Sequence, residues 1–306
     1  MAAEDTIEMS HPSLFVIEPT SHHTYSFIFL HGLGSSGETF GQELLETGIC
    51  SDGRKLTDIF PGARFIFPTA KRRRSSAFGR AKLTQWFDLS SLENPWHRPN
   101  TQMKGLSESS KEIFNLINKE ALKILRDNII IGGLSHGCAM ALSCLLAMDF
   151  PLGGFIGMSG WLPFQPDIKG LLRSGDEVCD DDNPFGFDDD DDDDPFSTRN
   201  EATRGQQDIV IDVVNFSRDL LCLTELSNPT RNTTSIATPV YFGHGDADEK
   251  IKPSFGETAS TTLESVGYNV TWKAYEGQGH WYKVPDEIDD IVDFMRNQVG
   301  WKLRDN

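Results

Sequence analysis

Short apolar runs separated by amphipathic stretches recur along the chain and set out an alternation of strands and helices. Tyr25–Leu30 (YSFIFL) is apolar almost throughout and stops at a His-Gly pair, the pattern of a strand buried on both faces. A helix is expected over Gly37–Leu45, then a strand over Ala63–Phe67 halted by Pro68. The polar segment that follows, with Lys71–Arg74 and Trp86-Phe87-Asp88, reads as a long loop. Ser109–Asp127 carries the plainest helical signature. Ser109 and Glu112 have capping-box spacing, and Ile113, Ile117, Ala121 and Ile124 form one stripe. The β-branched run Asn128–Gly133 predicts a strand, His136–Met148 a buried helix and Gly154–Met158 a further strand. The alternation resumes with strand Pro239–Gly243, helix Ser254–Val266, strand Asn269–Tyr275 and helix Asp286–Val299. This order predicts an α/β fold, a mostly parallel central sheet with helices on both faces.

Composition changes the picture in one place. At 306 residues the chain is long enough for one sizeable core, and we expect a single domain over 1–306. Its net charge of −18 is uneven: twelve acids and no Lys or Arg fall between Asp176 and Asp194, including the run Asp188–Asp194. Such a stretch cannot bury enough apolar surface to offset its ordering, so a disordered acidic loop is expected at about 176–196 within an insertion over 167–237. Within that insertion Ile209, Val213, Phe216 and Leu220 have helical spacing and are expected to pack as a cover helix.

Outside the acidic stretch the chain is only mildly acidic, which argues against a nucleic-acid surface. The five cysteines form no CxxC pair, so neither a disulfide framework nor a metal site is expected. No run approaches the roughly 18 apolar residues of a membrane span. The polar N-terminus has no signal-peptide core. The expected location is the cytoplasm, with the nucleus as an additional one.

Four segments carry chemistry. Gly133-Leu134-Ser135-His136-Gly137 follows a β-branched strand and opens a helix, the setting of a nucleophile elbow. Ser135 is then the candidate nucleophile, and the backbone N–H of His136, at the helix start, points where an oxyanion would form. His31-Gly32-Leu33-Gly34 follows the first strong strand, and Leu33 N–H is the candidate second oxyanion donor. His244-Gly245-Asp246-Ala247-Asp248 ends a late strand, and both Asp246 and Asp248 qualify chemically as the acid that orients a histidine. Gly277-Gln278-Gly279-His280 lies beyond the next strand, so His280 is the candidate base. The order Ser…Asp…His is that of α/β-hydrolases.

Together these residues make the chain resemble the acyl-protein thioesterase branch of the phospholipase/carboxylesterase family. The matching segments are FIFLHGLGSSGETF (27–40), FIFPTA (65–70), WFD (86–88), IIIGGLSHGCAMAL (129–142), MSGWLPF (158–164), PVYFGHGDADEKI (239–251) and YEGQGHWY (275–282). The resemblance implies an α/β-hydrolase fold and a cofactor-free serine hydrolase with no metal. It maps the acid onto Asp248 and supports Leu33 and His136 as oxyanion donors. Its implied substrates are acylated proteins, or lipid and small-molecule esters, and Trp86, Trp161 and Leu162 are expected on the acyl-side wall. His136 departs from the glutamine usual after the nucleophile, the insertion is longer than the family's connection, and Lys71–Lys82 diverges. A short-chain carboxylesterase is the alternative within the class, and a non-catalytic ligand receptor is the alternative outside it.

Overall fold

The computed structural model describes residues 14–174, 201–227, 230 and 233–302. The acidic stretch, and the loop expected there, lie outside the described residues. Seven strands form one sheet: β1 (Leu14–Ile17), β2 (Tyr25–Leu30), β3 (Ala63–Pro68), β6 (Ile129–Leu134), β7 (Gly154–Met158), β8 (Val240–Gly245) and β9 (Val270–Tyr275). Their spatial order is β1-β3-β2-β6-β7-β8-β9, parallel throughout except for β1, which pairs antiparallel at the edge. Helices α1 (Gly37–Thr47), α2 (Leu56–Ile59), α3 (Asn100–Ala121), α4 (His136–Ala147), α5 (Gln165–Ser174), α6 (Glu201–Leu220), α7 (Pro253–Val266) and α8 (Asp286–Asn297) connect them. The fold is that of an α/β hydrolase.

Side chains alternate across each strand and feed two apolar layers. On β2, Ile28 and Leu30 face one layer while Phe27 and Phe29 face the other. On β6, Ile129 and Ile131 face the first and Ile130 the second. Burial on both faces is why these strands read as continuous apolar runs rather than as alternation. Helix α4, buried along nearly its whole length, packs against β6, β2 and α6. In α6, Val210, Val213 and Val214 are buried, so this part of the insertion covers α4.

Two segments differ from the sequence expectation. Residues 71–88 are not a plain loop: β4 (Arg72–Arg74) and β5 (Lys82–Thr84) form an antiparallel hairpin. Three-residue strands are too short to show a period, and long-range bonds hold this one, Gly34 N–H to Thr84 O at 2.8 Å among them. The long helix starts at Asn100 rather than Ser109. Ser109 is buried inside it and donates from Oγ to the Trp86 carbonyl at 2.6 Å, so its hydroxyl serves a tertiary contact instead of a cap. The same helix ends at Ala121, where the Lys123 and Ile124 amides both turn back onto the Glu120 carbonyl. Among the described residues, no helix is long and apolar enough to cross a membrane.

Candidate active site

The turn from β6 into α4 places Ser135 in a backbone conformation that few L-residues adopt, φ 56° and ψ −117°. Its amide donates to the Met158 carbonyl at 2.8 Å, which ties the turn to β7. The following helix can pass this close to β2 because position 137 has no side chain: a Cβ there would lie 2.1 Å from the Leu30 carbonyl oxygen. The strained turn leaves the Ser135 hydroxyl 2.9 Å from His280 Nε2.

His280 reaches that position from the loop after β9. Its Nδ1 lies 2.7 Å from Asp248 Oδ2, so Nδ1 carries the ring proton and Nε2 is left to accept from the serine. Asp248 has a fully buried side chain. Its Oδ1 accepts the Lys250 and Ile251 amides at 2.8 and 3.0 Å. Its Oδ2 also lies 3.1 Å from His244 Nε2. Burial works against its ionisation, but the donors from His244, His280 and Ile251 outweigh it and hold Asp248 well below the usual carboxylate range. Asp246, the other acid of this motif, is exposed and accepts the Gly277 amide at 2.7 Å. It braces the loop that carries His280 and does not reach the ring.

The His31–Gly34 loop lies beside the elbow, with Gly32 facing Ser135. Leu33 lines the same cleft. His31 holds the loop from within: Nδ1 bonds the Gly32 carbonyl at 2.7 Å and Nε2 accepts the Ala70 amide at 3.0 Å. Burial pushes its pKa down to about 4. His136 starts α4, so its N–H has no intrahelical partner. Its ring points into the core between Phe87 and Trp161, where burial lowers its pKa to about 3.

The cleft above Ser135 has a volume of about 430 Å³. Its apolar wall is made by Phe40, Phe78, Leu92, Ile251 and Trp281; among the described residues that line it, Lys250 is the one charged side chain beside His280. Trp86, Trp161 and Leu162 are not part of it. All three are essentially fully buried, at 1%, 0% and 1% exposure. Trp86 supports the His31–Gly34 loop, its Nε1–H donating to the His31 carbonyl at 2.8 Å. Trp161 packs against the His136 ring, and the Leu162 carbonyl accepts Trp96 Nε1–H at 2.9 Å. Their apolar character reads the same in a core as on a cleft wall, so sequence alone could not separate the two. Phe78 was hidden for another reason: the hairpin that carries it to the cleft had no readable period. The one signal available for Trp281 was its place next to His280. Among the described residues, no group of three or more His, Cys, Asp or Glu side chains is arranged to hold a metal ion.

Comparison with known proteins agrees with this architecture. Residues 11–175 and 202–299 match the phospholipase/carboxylesterase family. The chain is 25% identical to acyl-protein thioesterase 1 of Gibberella zeae over 287 residues, covering 93% of this chain and 94% of that one. It is 25% identical to acyl-protein thioesterase 1 of Yarrowia lipolytica over 280 residues, covering 90% and 93% of the two chains. The crystal structure of Zea mays acyl-protein thioesterase 2 superposes with a TM-score of 0.63 at 23% identity, covering 95% of this chain and all of that one.

Proposed function

Since the chain belongs to the phospholipase/carboxylesterase family and is a hydrolase of esters or thioesters, we propose that Ser135, His280 and Asp248 form its catalytic triad and that it deacylates proteins or lysophospholipids. The observation that carries this reading is the unbroken chain of hydrogen bonds from Ser135 Oγ through His280 to Asp248 at the floor of an apolar cleft. His280 Nε2 takes the hydroxyl proton as Ser135 Oγ attacks the acyl carbonyl carbon. The carbonyl oxygen becomes an oxyanion held by the Leu33 and His136 amides, and each such donor contributes on the order of 3 kcal/mol to the transition state. The leaving thiolate or alkoxide collects the proton from His280. Water then attacks the acyl-enzyme carbonyl carbon and gives a proton to His280; the bond from Ser135 Oγ to the acyl carbon breaks, His280 returns the proton to Oγ, and the fatty acid leaves. Asp248 stays ionised throughout and stabilises the imidazolium.

The apolar lining by Phe40, Phe78, Leu92 and Trp281 supports an acyl chain as the group bound there. We place the whole activity in one domain and the protein in the cytoplasm. A fluorophosphonate probe should label the wild type and not Ser135→Ala, and labelling that persists in the variant would overturn the assignment. Turnover of matched thioesters and oxygen esters from acetyl to palmitoyl decides the substrate class. Fastest turnover of long-chain thioesters supports deacylation of proteins. An optimum at short oxygen esters replaces that reading with a general carboxylesterase, and no turnover by the intact protein replaces it with a ligand receptor.

A further inference from the structure

His244, the penultimate residue of β8, has a fully buried side chain. Its Nε2 lies 3.1 Å from Asp248 Oδ2 and 3.1 Å from the Ile251 carbonyl oxygen. Both neighbours are acceptors, so Nε2 carries the proton and shares it between them. Nδ1 has no hydrogen-bond partner and faces Gly256 of α7, where a Cβ would come within 2.4 Å. Trp272 of β9 packs near the ring, at 6.3 Å between centroids. Neither Gly256 nor Trp272 is charged. Asp246, in the same turn, is engaged with the Gly277 amide, and Lys250 lies on the cleft wall.

Asp248 Oδ2 is also the oxygen that accepts His280 Nδ1–H. One carboxylate oxygen therefore holds two imidazole donors. Ile251 closes a second link: its amide donates to Asp248 Oδ1, its carbonyl accepts from His244, and it forms part of the cleft wall. A side chain needed only for packing would not require a donor aimed at this oxygen.

We infer that His244 is a positioning residue for hydrolysis: its Nε2–H fixes the Asp248 carboxylate, draws part of its charge away from His280, and ties the Ile251 wall to the reacting group. The inference rests on the roles proposed above for Ser135, His280 and Asp248. It has a consequence that packing alone does not. Without the His244 donor, more negative charge on Oδ2 faces His280, the imidazolium is favoured, and the base stays protonated to higher pH.

The test is kcat/KM against pH for the full chain, on a soluble activated ester, with His244→Leu, His244→Asn and His244→Gln. His244→Leu removes the donor. His244→Asn places its amide near the old Nδ1 position, away from Asp248, and serves alone if the leucine variant does not fold. His244→Gln puts an N–H where Nε2 was. The expected result is a loss of about ten- to a hundredfold in the first two, the worth of one hydrogen bond to a charged group. Their acidic limb should move to higher pH, and glutamine should restore most of both. An acidic limb that stays in place or moves down in a folded donor-less variant overturns the inference. So does a glutamine variant no better than asparagine. Failure of the underlying triad reading looks different, because the wild type itself would then label with fluorophosphonate independently of Ser135.

Discussion

At Asp248, four donors converge on two oxygens, and their geometry decides what each atom of His280 can do. With Oδ2 accepting from Nδ1, the Nε2 lone pair faces Ser135. Asp248→Asn would present an amide that can turn its N–H toward Nδ1 and reverse the tautomer. We expect kcat to fall by about 10⁴ with the fold intact, the size of effect known for loss of a triad acid. A variant retaining a tenth of wild-type kcat would remove Asp248 from that role. Asp246→Asn keeps an oxygen for the Gly277 amide and should stay close to the wild type, which separates the two acids of one motif. His136→Gln tests the proposed oxyanion donor in the same way. Its ring is buried in the core against Phe87 and the proposed donor is its backbone N–H, so most activity should survive the change.

At the scale of elements, the site depends on how closely α4 approaches β2 and on how the His31–Gly34 loop is held. Gly137 sits at that approach, and the nearest atoms to an added methyl are the backbone carbonyls of Leu30 and His31. Gly137→Ala should destabilise the protein by about 3 kcal/mol, the upper end for overpacking, because backbone cannot yield as a side-chain tip can. Denaturant unfolding checks this, and an unchanged midpoint would mean that the helix slides freely on the sheet. The His31–Gly34 loop is clamped by the β4–β5 hairpin, with Gly34 N–H on Thr84 O and Thr84 Oγ1 donating to Ser35 O at 2.5 Å. Underneath it, Trp86 takes the His31 carbonyl. Replacing Trp86 by Phe keeps the bulk but leaves that buried carbonyl without its donor. Turnover should drop more than substrate affinity, since the loop carries the proposed oxyanion donor Leu33 and Trp86 does not line the cleft.

For the molecule as a whole, two buried acids pull its stability in opposite directions with pH. Asp248 is held low, so its contribution is complete above about pH 3.9, the ordinary carboxylate value, and is lost as pH falls below that. Glu287, at the start of α8 beneath β8, is raised by burial to about 8 from an ordinary 4.5. Its Oε2 accepts the Lys283 amide at 2.9 Å, while Oε1 has no partner. Its contribution is complete below about pH 4.5 and declines as pH rises toward 8, where the folded form must surrender the proton as well. Wild-type Tm should therefore fall between about pH 5 and pH 8 relative to Glu287→Gln. Parallel Tm curves for the two proteins would show that Glu287 is already ionised across that window.

How much of this could be read in the chain follows from which forces act locally. Apolar runs buried on two faces, glycines beside a serine and acids at strand ends are local signatures. They identified the central strands, the α/β architecture and the candidate residues of the hydrolase site. They also placed a helix over Ile209–Leu220, because its stripe has a period of its own. The short hairpin, the true start of α3 and the antiparallel edge strand β1 have no such signature, since partners distant in sequence hold them. The side of the core on which an apolar residue lies is equally invisible locally, so Trp86, Trp161 and Leu162 could not be told from Phe40, Phe78 and Trp281. His244 belongs to the same class: two histidines on one carboxylate oxygen exist only once β8, the turn after it and the loop after β9 meet in three dimensions. Sequence records which groups are present and how the chain runs near each. Distances between groups far apart along it come from packing the two faces of the sheet, and the chemistry of the site depends on those distances.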